Sequence, residues 1–306
     1  MDSPLLFPVR LAKEAIYVLD ETLLPFRQEY IEVKDIEKAL WVLGQMKTRA
    51  LGQVLLFFYS CILFRDEFAI DEIVHRFSQR RPTFDFALLG DILSEGVARG
   101  VALQRVVEGF LEAFDAARRR RTARLASLLP NPAKIVTICN MNGELIYLYE
   151  HLQALGKKGV FFVCETRPYL QGTRLTFWEL RRNHIPCRLI CDNQAARLMF
   201  EAQANCVVCG ADRATVKGDI INKVGTYSLA RLAKLFNIPF YPLTQYPRDI
   251  DIATIEIEER PGREVFMYLE GDYSRIEALY PAFDVTPAEL VSECIGLEIS
   301  HEVKRD

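Results

Sequence analysis

The sequence lacks a long hydrophobic run and a strong excess of charge of either sign. Its longest apolar stretch, residues 54–64, is too short to cross a bilayer and predicts a buried core helix. The net charge of −3 gives no basic surface for a polyanion, so we expect no nucleic-acid partner. The N-terminal segment has no basic region followed by an apolar run. We therefore expect no secretory signal, no membrane association and a cytoplasmic location.

Motifs for nucleotide binding and for histidine-based catalysis are also missing. No Gly-x-Gly-x-x-Gly follows the first predicted strand of the C-terminal half, and no Gly-Lys-Ser or Gly-Lys-Thr occurs. The 4 histidines show no Ser/His/Asp or Cys/His spacing. The sequence thus gives no support to a nicotinamide site, a nucleoside-triphosphate site or a histidine triad.

The 8 cysteines contain two pairs that superficially resemble halves of a zinc site, Cys187 with Cys191 and Cys206 with Cys209. Both pairs lie in apolar runs that look like strands. Residues three apart in a strand point to opposite faces, so Cys206 and Cys209 could not bind one ion together. We predict no metal site and reduced thiols, as in a cytosolic protein.

The first part of the chain combines short β-prone segments with helices. The β-prone segments are Pro8–Arg10, Ala15–Asp20 and Glu29–Val33, and they predict a small antiparallel meander. Helical spacing then takes over and ends in a long helix from about Leu103 to Arg124. The pattern predicts a small, mostly helical N-terminal domain over residues 1–128.

A basic run, Arg118-Arg-Arg-Arg121, lies near the end of this long helix. Its simplest interpretation is a solvated helix end whose positive charge suits the carboxyl-terminal dipole. The alternative interpretation is a basic binding patch.

After Pro130-Asn-Pro132, short apolar strands alternate with helices. This alternation predicts parallel βαβ units and a doubly wound, Rossmann-like sheet in an α/β domain over residues 129–306. The expected strands are 134–138, 159–163, 186–190, 206–208 and 239–243.

Polar side chains follow four of these strands. They are Cys139-Asn140, Glu165-Thr-Arg167, Asp192-Asn193 and Asp212-Arg213. The carboxyl ends of parallel strands meet at one edge of a sheet, and ligands bind at that edge. We therefore expect a thiol, carboxylates, amides and arginines to lie near one another.

The stretch around the fourth strand is the most informative. Gly210 lets the backbone turn, so Asp212 emerges at the strand end. From Lys223 onward the spacing is helical, which places Asn222 and Lys223 near a helix amino terminus that favours an anion. This arrangement suggests acid–base chemistry beside a phosphate. The alternative is an ordinary capped turn with solvated charges.

Several strings resemble one known family. They are Glu165-Thr-Arg-Pro-Tyr-Leu-Gln-Gly-Thr-Arg-Leu-Thr176, Gly210-Ala-Asp-Arg213, Gly218-Asp-Ile-Ile-Asn-Lys-Val-Gly-Thr-Tyr-Ser-Leu-Ala230 and Pro281-Ala-Phe-Asp-Val-Thr-Pro287. The chain is similar to the aldose-1-phosphate isomerases. That family contains methylthioribose-1-phosphate isomerase, ribose-1,5-bisphosphate isomerase and related regulatory subunits of the eukaryotic exchange factor for the second initiation factor.

The resemblance implies a cofactor-free conversion of an aldose 1-phosphate into a ketose 1-phosphate, usually by a homodimer. It implies that Cys139 is the catalytic thiol and Asp212 the catalytic carboxylate. Contacts to the phosphate and hydroxyl groups would fall to Arg49, Arg81, Gln171, Asn222 and Lys223. The expected partner is a small sugar phosphate, and methionine salvage is the expected pathway.

Two loops depart from the methylthioribose branch. Residues 46–52 lack its Gly and Pro, and Asn140-Met-Asn-Gly143 replaces its Asn-Thr-Gly. Our first hypothesis is an isomerase of methylthioribose 1-phosphate, with ribose 1,5-bisphosphate and 5-deoxyribose 1-phosphate as alternative substrates. A second hypothesis is a noncatalytic sugar-phosphate sensor. In a third, Cys139 is only a buried thiol and Asp212 only a helix cap.

Overall fold

The computed structural model describes residues 3–82, 84–245, 247, 249–273 and 275–297. Among these, the residues up to Ala116 form one compact unit and those from Ala117 onward form another. The predicted domain ranges, 1–128 and 129–306, place the boundary slightly later and remain a prediction. Their terminal residues 1, 2 and 298–306 lie outside the described residues.

The N-terminal unit begins with the predicted meander. Strands β1 (Val9–Leu11), β2 (Ile16–Leu19) and β3 (Tyr30–Val33) form an antiparallel sheet in that order. The helices that follow are α1 (Ile36–Gly44), α2 (Leu51–Leu63), α3 (Ile70–Arg80), α4 (Phe86–Ala98) and α5 (Leu103–Leu128). Local sequence explains two of the helix starts, because the carboxylates of Asp35 and Asp85 accept backbone N–H groups in the first turns of α1 and α4.

The core of this unit is aromatic. The rings of Phe57, Phe77 and Phe86 are fully buried, and their centroids lie 5.3 to 5.4 Å apart. Helix α2 contains the predicted core run except for its last residue, Phe64, which follows the helix directly. Within the described ranges, no helix is both long enough and apolar enough to cross a membrane.

The C-terminal unit is built on a parallel sheet, as the alternating pattern predicts. Its strands are β4 (Ala133–Thr137), β5 (Gly159–Cys164), β6 (Cys187–Ile190), β7 (Cys206–Ala211), β8 (Arg213–Ala214), β9 (Ile220–Lys223), β10 (Phe240–Thr244), β11 (Phe283–Thr286) and β12 (Ile295–Gly296). Six of them form the sheet β12-β10-β7-β4-β5-β6, in which every pairing is parallel. The helices between them are α6 (Glu144–Ala154), α7 (Trp178–Arg182), α8 (Ala195–Phe200) and α9 (Thr226–Leu235).

A second, smaller antiparallel sheet has the order β11-β9-β8. The alternation of short strands and helices does not predict it, because its strands are short and lie in the loop after β7 and near the C-terminal end. It positions the segment between Asp212 and helix α9.

The large sheet reverses its strand order between β4 and β7. From β4 the chain builds outward through β5 and β6, whereas β7, β10 and β12 extend the sheet on the other side. In open α/β sheets the loops at such a reversal leave a crevice at the carboxyl ends of the strands, and ligands bind there. The two strands at this position precede Cys139 and Asp212.

The interpretation of the basic run as a solvated helix end is wrong for two of its four arginines. Helix α5 continues to Leu128, so the run lies inside the helix. Arg118 and Arg121 are buried, with 1% and 4% of their surface exposed, while Arg119 and Arg120 are exposed. The helical period explains the difference, since residues three apart share a face.

Candidate active site

Cys139 and Asp212 follow neighbouring strands at the reversal of the sheet. Val136 of β4 pairs with Val207 of β7, Cys139 comes shortly after the first and Asp212 shortly after the second. Cys139 is half-buried and Asp212 is exposed. Burial raises the pKa of the Cys209 thiol in β7 well above its usual range, and the nearby Cys139 and Asp212 add to this rise. Both groups therefore lie close to the same strand.

The backbone of Cys139 has an unusual conformation that two threonines hold. Its φ of 66° lies in the left-handed region, which is rare for a residue with a side chain. Its N–H donates to Thr166 Oγ1 at 2.9 Å, and its carbonyl accepts from Thr176 Oγ1 at 2.6 Å. Such conformations persist where the surrounding structure fixes them, and they cluster at functional sites.

The loop after Cys139 is also fixed by hydrogen bonds. Asn140 Nδ2 donates to Thr176 Oγ1 at 3.1 Å, and Asn140 Oδ1 accepts the Asn142 N–H at 2.9 Å. Gly143 precedes helix α6 with a φ of 84°, and its N–H donates to the buried Glu179 carboxylate at 3.2 Å. The sequence Asn140-Met-Asn-Gly143 thus forms an ordered turn.

The turn after β5 is held by Asp192, which follows β6. Its two carboxylate oxygens accept the N–H groups of Thr166 and Arg167, each at 2.8 Å. A Cβ at Gly172 would lie 1.8 Å from the carbonyl oxygen of Cys164, so only glycine fits at this position. The structure therefore brings the predicted residues after β5 and β6 into one network.

Gln171 carries a buried polar atom without a partner. Its side chain is 2% exposed, and among the described residues its Oε1 accepts no hydrogen bond. It immediately precedes a π-helical turn, Gly172–Phe177, and such turns are frequent at functional sites. Because an unpartnered buried oxygen is costly, this atom is a candidate to bind a ligand hydroxyl.

The prediction that Lys223 begins a helix is wrong. Asn222 and Lys223 belong to strand β9, which pairs with β11, and helix α9 begins at Thr226. Both side chains are buried, at 4% and 6% exposure. Asn222 Nδ2 donates to Thr226 Oγ1 at 2.9 Å, and Lys223 Nζ lies 4.7 Å from the centre of the Phe283 ring.

Strand β9 also connects this pair to Asp212. The Asp212 N–H donates to the carbonyl of Ile221 at 2.9 Å. Ile221 precedes Asn222 directly, so the small sheet holds the carboxylate and the amide–ammonium pair on connected backbone.

Asp284 is a residue of this region that the sequence argument did not single out. Its carboxylate accepts the N–H of Gly225 at 2.7 Å and that of Tyr227 at 3.1 Å. These N–H groups belong to the amino terminus of α9, where we expected an external anion. Burial raises the pKa of Asp284 to about 6, although both hydrogen bonds and the charge of Lys223 oppose the rise. Its place in Pro281–Pro287 was the only signal in the sequence.

Arg49 and Arg81 lie in the N-terminal unit, whereas the other five predicted site residues lie in the C-terminal unit. Both arginines are half-buried. Arg81 follows α3, and its N–H donates to the carbonyl of Phe77 at 3.0 Å.

The loop that carries Arg49 is held by a buried carboxylate. Glu21 Oε1 accepts the Thr48 hydroxyl at 2.7 Å and the Arg49 N–H at 3.0 Å. Burial raises the pKa of Glu21 to about 7 against these two hydrogen bonds.

The cysteine pairs do not form a metal site within the described ranges. Cys206 and Val208 pack on one side of β7, and Val207 and Cys209 pack on the other. This confirms that Cys206 and Cys209 point to opposite faces of the sheet. In the part of the chain that the structure describes, no three His, Cys, Asp or Glu side chains come close enough to hold an ion.

Comparisons with known proteins agree with the fold. A model of the Initiation factor 2 subunit family matches residues 94–296. A protein of Anaeromyxobacter sp. (strain Fw109-5) named methylthioribose-1-phosphate isomerase is 33% identical over 305 residues, covering 92% of this chain and 90% of its own.

Two solved structures share the architecture. The first is a 5-methylthioribose 1-phosphate isomerase from Pyrococcus horikoshii OT3, with a TM-score of 0.79 and 24% identity over 94% of this chain and 90% of that one. The second is the delta subunit of translation initiation factor eIF-2B from A. fulgidus, with a TM-score of 0.76 and 27% identity over 94% of this chain and 93% of that one. The first likeness shows a shared fold.

Proposed function

Because the chain belongs to the Initiation factor 2 subunit family, we propose that it is an aldose 1-phosphate isomerase. Its substrate is a ribose 1-phosphate substituted at carbon 5, with S-methyl-5-thioribose 1-phosphate preferred, and its product is the corresponding ribulose 1-phosphate. Relatives named methylthioribose-1-phosphate isomerase support this substrate.

One observation carries the proposal: a thiol and a carboxylate follow the two strands at which the sheet reverses. The carboxyl ends of these strands are where α/β sheets hold small ligands. Cys139 follows β4 and Asp212 follows β7, and the two strands are paired. Turns with a purely structural role would need neither a thiol nor a carboxylate at these two positions.

The reaction requires two hydrogen movements and no net change in atoms. The bond between C1 and the ring oxygen breaks, one hydrogen moves from C2 to C1, and the proton of the C2 hydroxyl ends on the former ring oxygen. In the proposal, the Asp212 carboxylate exchanges the proton between sugar oxygens. The Cys139 thiol acts at the carbon centre.

Binding of the phosphate and hydroxyl groups fixes the sugar for these steps. In the proposal, the Lys223 ammonium and the Asn222 amide contact polar groups of the substrate, and the unpartnered Gln171 Oε1 accepts a hydroxyl. The resemblance also assigns Arg49 and Arg81, in the N-terminal unit, to the phosphate, and this assignment stays a prediction. Binding of a group that does not react can support the chemical step, because it holds the reacting atoms in position.

The proposed setting is a cytoplasmic homodimer that acts in methionine salvage without a cofactor. The absence of a membrane-spanning helix in the described ranges is compatible with this setting. The oligomeric state is measured by light scattering on the purified chain, where a monomer mass would contradict the homodimer.

A second candidate is a noncatalytic sugar-phosphate sensor. The 27% identity to the eIF-2B delta subunit of A. fulgidus, over 94% of this chain, favours it. A sensor binds the phosphosugar without converting it.

The test is turnover on a panel of S-methyl-5-thioribose, 5-deoxyribose and ribose 1-phosphates and ribose 1,5-bisphosphate, with the ketose 1-phosphate detected by NMR. The isomerase proposal predicts conversion, with the highest kcat/KM for the methylthio substrate. If every compound stays unchanged while one of them raises the melting temperature, the sensor replaces the isomerase. If no compound is converted or bound, both candidates are wrong.

A further inference from the structure

We propose that Arg118, Arg121 and Glu144 form a positioning cluster that holds the Cys139 loop in its reactive conformation. This inference rests on the proposed function, and two of the three residues, Arg118 and Arg121, belong to the basic run that the sequence analysis interpreted as a solvated helix end. The three residues are called the Arg–Glu–Arg cluster below.

The cluster is a buried network of charged hydrogen bonds. Glu144 begins helix α6 and is 5% exposed, and Arg118 and Arg121 are buried on one face of α5. Arg118 Nε donates to Glu144 Oε1 at 3.2 Å, and Arg121 Nε donates to Glu144 Oε2 at 2.6 Å. Arg121 Nη2 also donates to Glu144 Oε1. Two guanidinium groups thus share one carboxylate.

The cluster forms a hydrogen bond to the backbone that follows Cys139. Arg118 Nη2 donates to the carbonyl of Asn142. The N–H of Asn142 donates to the side chain of Asn140, the residue next to Cys139. Asn142 has a φ of 45°, in the left-handed region that asparagine adopts more readily than most other residues with a side chain. Arg118 therefore stabilises the turn that sets the direction of the chain after the thiol.

The cluster also joins this loop to the next strand end in the sheet. Arg121 Nη1 donates to the carbonyl of Thr244, the last residue of β10, at 2.7 Å. Strand β10 pairs with β7, the strand that precedes Asp212. The same guanidinium group thus contacts the helix that follows the Cys139 loop and the strand beside that of Asp212.

Stability alone does not require such a cluster. Buried ion pairs are often replaced by apolar residues of similar size without loss of stability, because desolvation offsets their attraction. Hydrogen bonds to the carbonyl groups of Asn142 and Thr244, in contrast, require a particular orientation of the backbone, which apolar contacts do not. A role in fixing the loop explains why charge occupies this buried position.

The run itself provides matched controls. Arg119 and Arg120 belong to the same helical turn but are exposed, and Arg119 lies 3.6 Å from Glu150 at the surface. Loss of Arg120 should leave the Cys139 loop unchanged. If the run were a basic patch that binds an external anion, loss of the exposed Arg119 or Arg120 would matter more than loss of the buried Arg118 or Arg121.

The experiment compares three variants with the natural chain. They are the apolar triple variant Arg118→Met/Arg121→Met/Glu144→Leu, the isosteric single variant Glu144→Gln, and the control Arg120→Met. The measurements are the melting temperature, kcat and KM on the substrate that the panel identifies, and the alkylation rate of Cys139. Peptide mass spectrometry follows this rate relative to the exposed Cys191.

We expect the triple variant to fold, kcat to fall by about 100-fold because the reacting group is displaced, and KM to change much less. We expect Cys139 alkylation to accelerate by about tenfold relative to Cys191, because the loop opens more readily. Glu144→Gln should show both effects to a smaller degree, and Arg120→Met neither. If the triple variant does not fold, kcat and the Cys139 alkylation rate of Glu144→Gln decide whether the inference holds.

A folded triple variant, or failing that a folded Glu144→Gln variant, with unchanged kcat and unchanged Cys139 alkylation would overturn the inference. The alkylation rate does not depend on turnover. If the natural chain converts no substrate, the proposed function fails while the alkylation result still decides whether the cluster holds the loop.

Discussion

The carboxylate of Asp284 occupies the amino terminus of α9 by accepting the N–H of Gly225 at 2.7 Å. A helix amino terminus that looks free in the sequence is thus already capped by a residue from a distant strand. The first N–H groups of α9 bind this internal carboxylate rather than a substrate phosphate. In this segment we therefore assign the ammonium of Lys223, which lies near Asp284, to the substrate.

Replacing Asp284 is therefore expected to affect both stability and binding. Asp284→Ala should lower the free energy of unfolding by about 1 kcal/mol, because two N–H groups of α9 lose their acceptor. It should also raise KM, since the turn that joins Lys223 to α9 loses its support. Asp284→Asn keeps one oxygen acceptor, so its free energy of unfolding should fall by less.

Urea denaturation measures the stability change, and Asp66→Ala at a surface position is the control, because the Asp66 side chain is 91% exposed. An Asp284→Ala variant as stable as the control would show that the cap is not needed.

Gln171 provides a prediction in which stability and binding change in opposite directions. Gln171→Met removes a buried oxygen that has no partner among the described residues, so the free energy of unfolding should rise by roughly 1 kcal/mol. The same change should raise KM, because the substrate loses a hydrogen-bond acceptor. Chemical denaturation and steady-state kinetics on one preparation measure both effects.

Gln53→Met is the matched control for this change. Gln53 is equally buried, but its Nε2 donates to the Thr48 carbonyl at 3.1 Å. This variant should be less stable than the natural chain. If Gln171→Met loses as much stability as Gln53→Met, the assignment of Gln171 to substrate is wrong.

Glu21 makes stability depend on pH. Its pKa in the folded chain is about 7, above the ordinary value of 4.5, because the carboxyl group is buried. The folded state therefore binds the proton more tightly than the unfolded state. The contribution to stability is complete below the ordinary pKa and is lost as the pH rises through about 7.

Glu21→Gln mimics the protonated form at every pH. At acidic pH the variant and the natural chain should unfold with similar free energies. Above neutral pH the variant should be more stable, by on the order of 3 kcal/mol. Denaturation curves at about pH 5 and about pH 8.5 test this, with the exposed Glu112→Gln as control. If the difference in free energy of unfolding between Glu21→Gln and the natural chain is the same at both pH values, the pKa of Glu21 is not raised.

The sequence predicts the parallel sheet well because its signals are local. Each buried strand is a short apolar run between helices, and the polar residues that follow a run lie at the carboxyl edge by geometry alone. Cys139 and Asp212 were placed in this way. The resemblance supplied the roles of both residues and named Gln171, whose buried, unpartnered oxygen only the structure reveals.

The errors of the sequence argument arise where distant segments meet. Lys223 lies in a strand rather than in a helix because β11, from the C-terminal part of the chain, pairs with it. Arg118 and Arg121 are buried because Glu144, on another helix, offers them a carboxylate. Neither partner can be identified from the spacing of nearby residues.

In the proposed reaction, Cys139 and Asp212 perform the isomerisation. The variants Cys139→Ser and Asp212→Asn test this directly: their kcat is measured beside that of Cys191→Ser and Asp66→Asn, with folding checked by circular dichroism. We predict that each of the first two variants loses at least about 100-fold in kcat, the usual contribution of a group that transfers a proton. The two controls should keep the natural rate. Folded Cys139→Ser and Asp212→Asn variants that turn over at the natural rate would contradict the account.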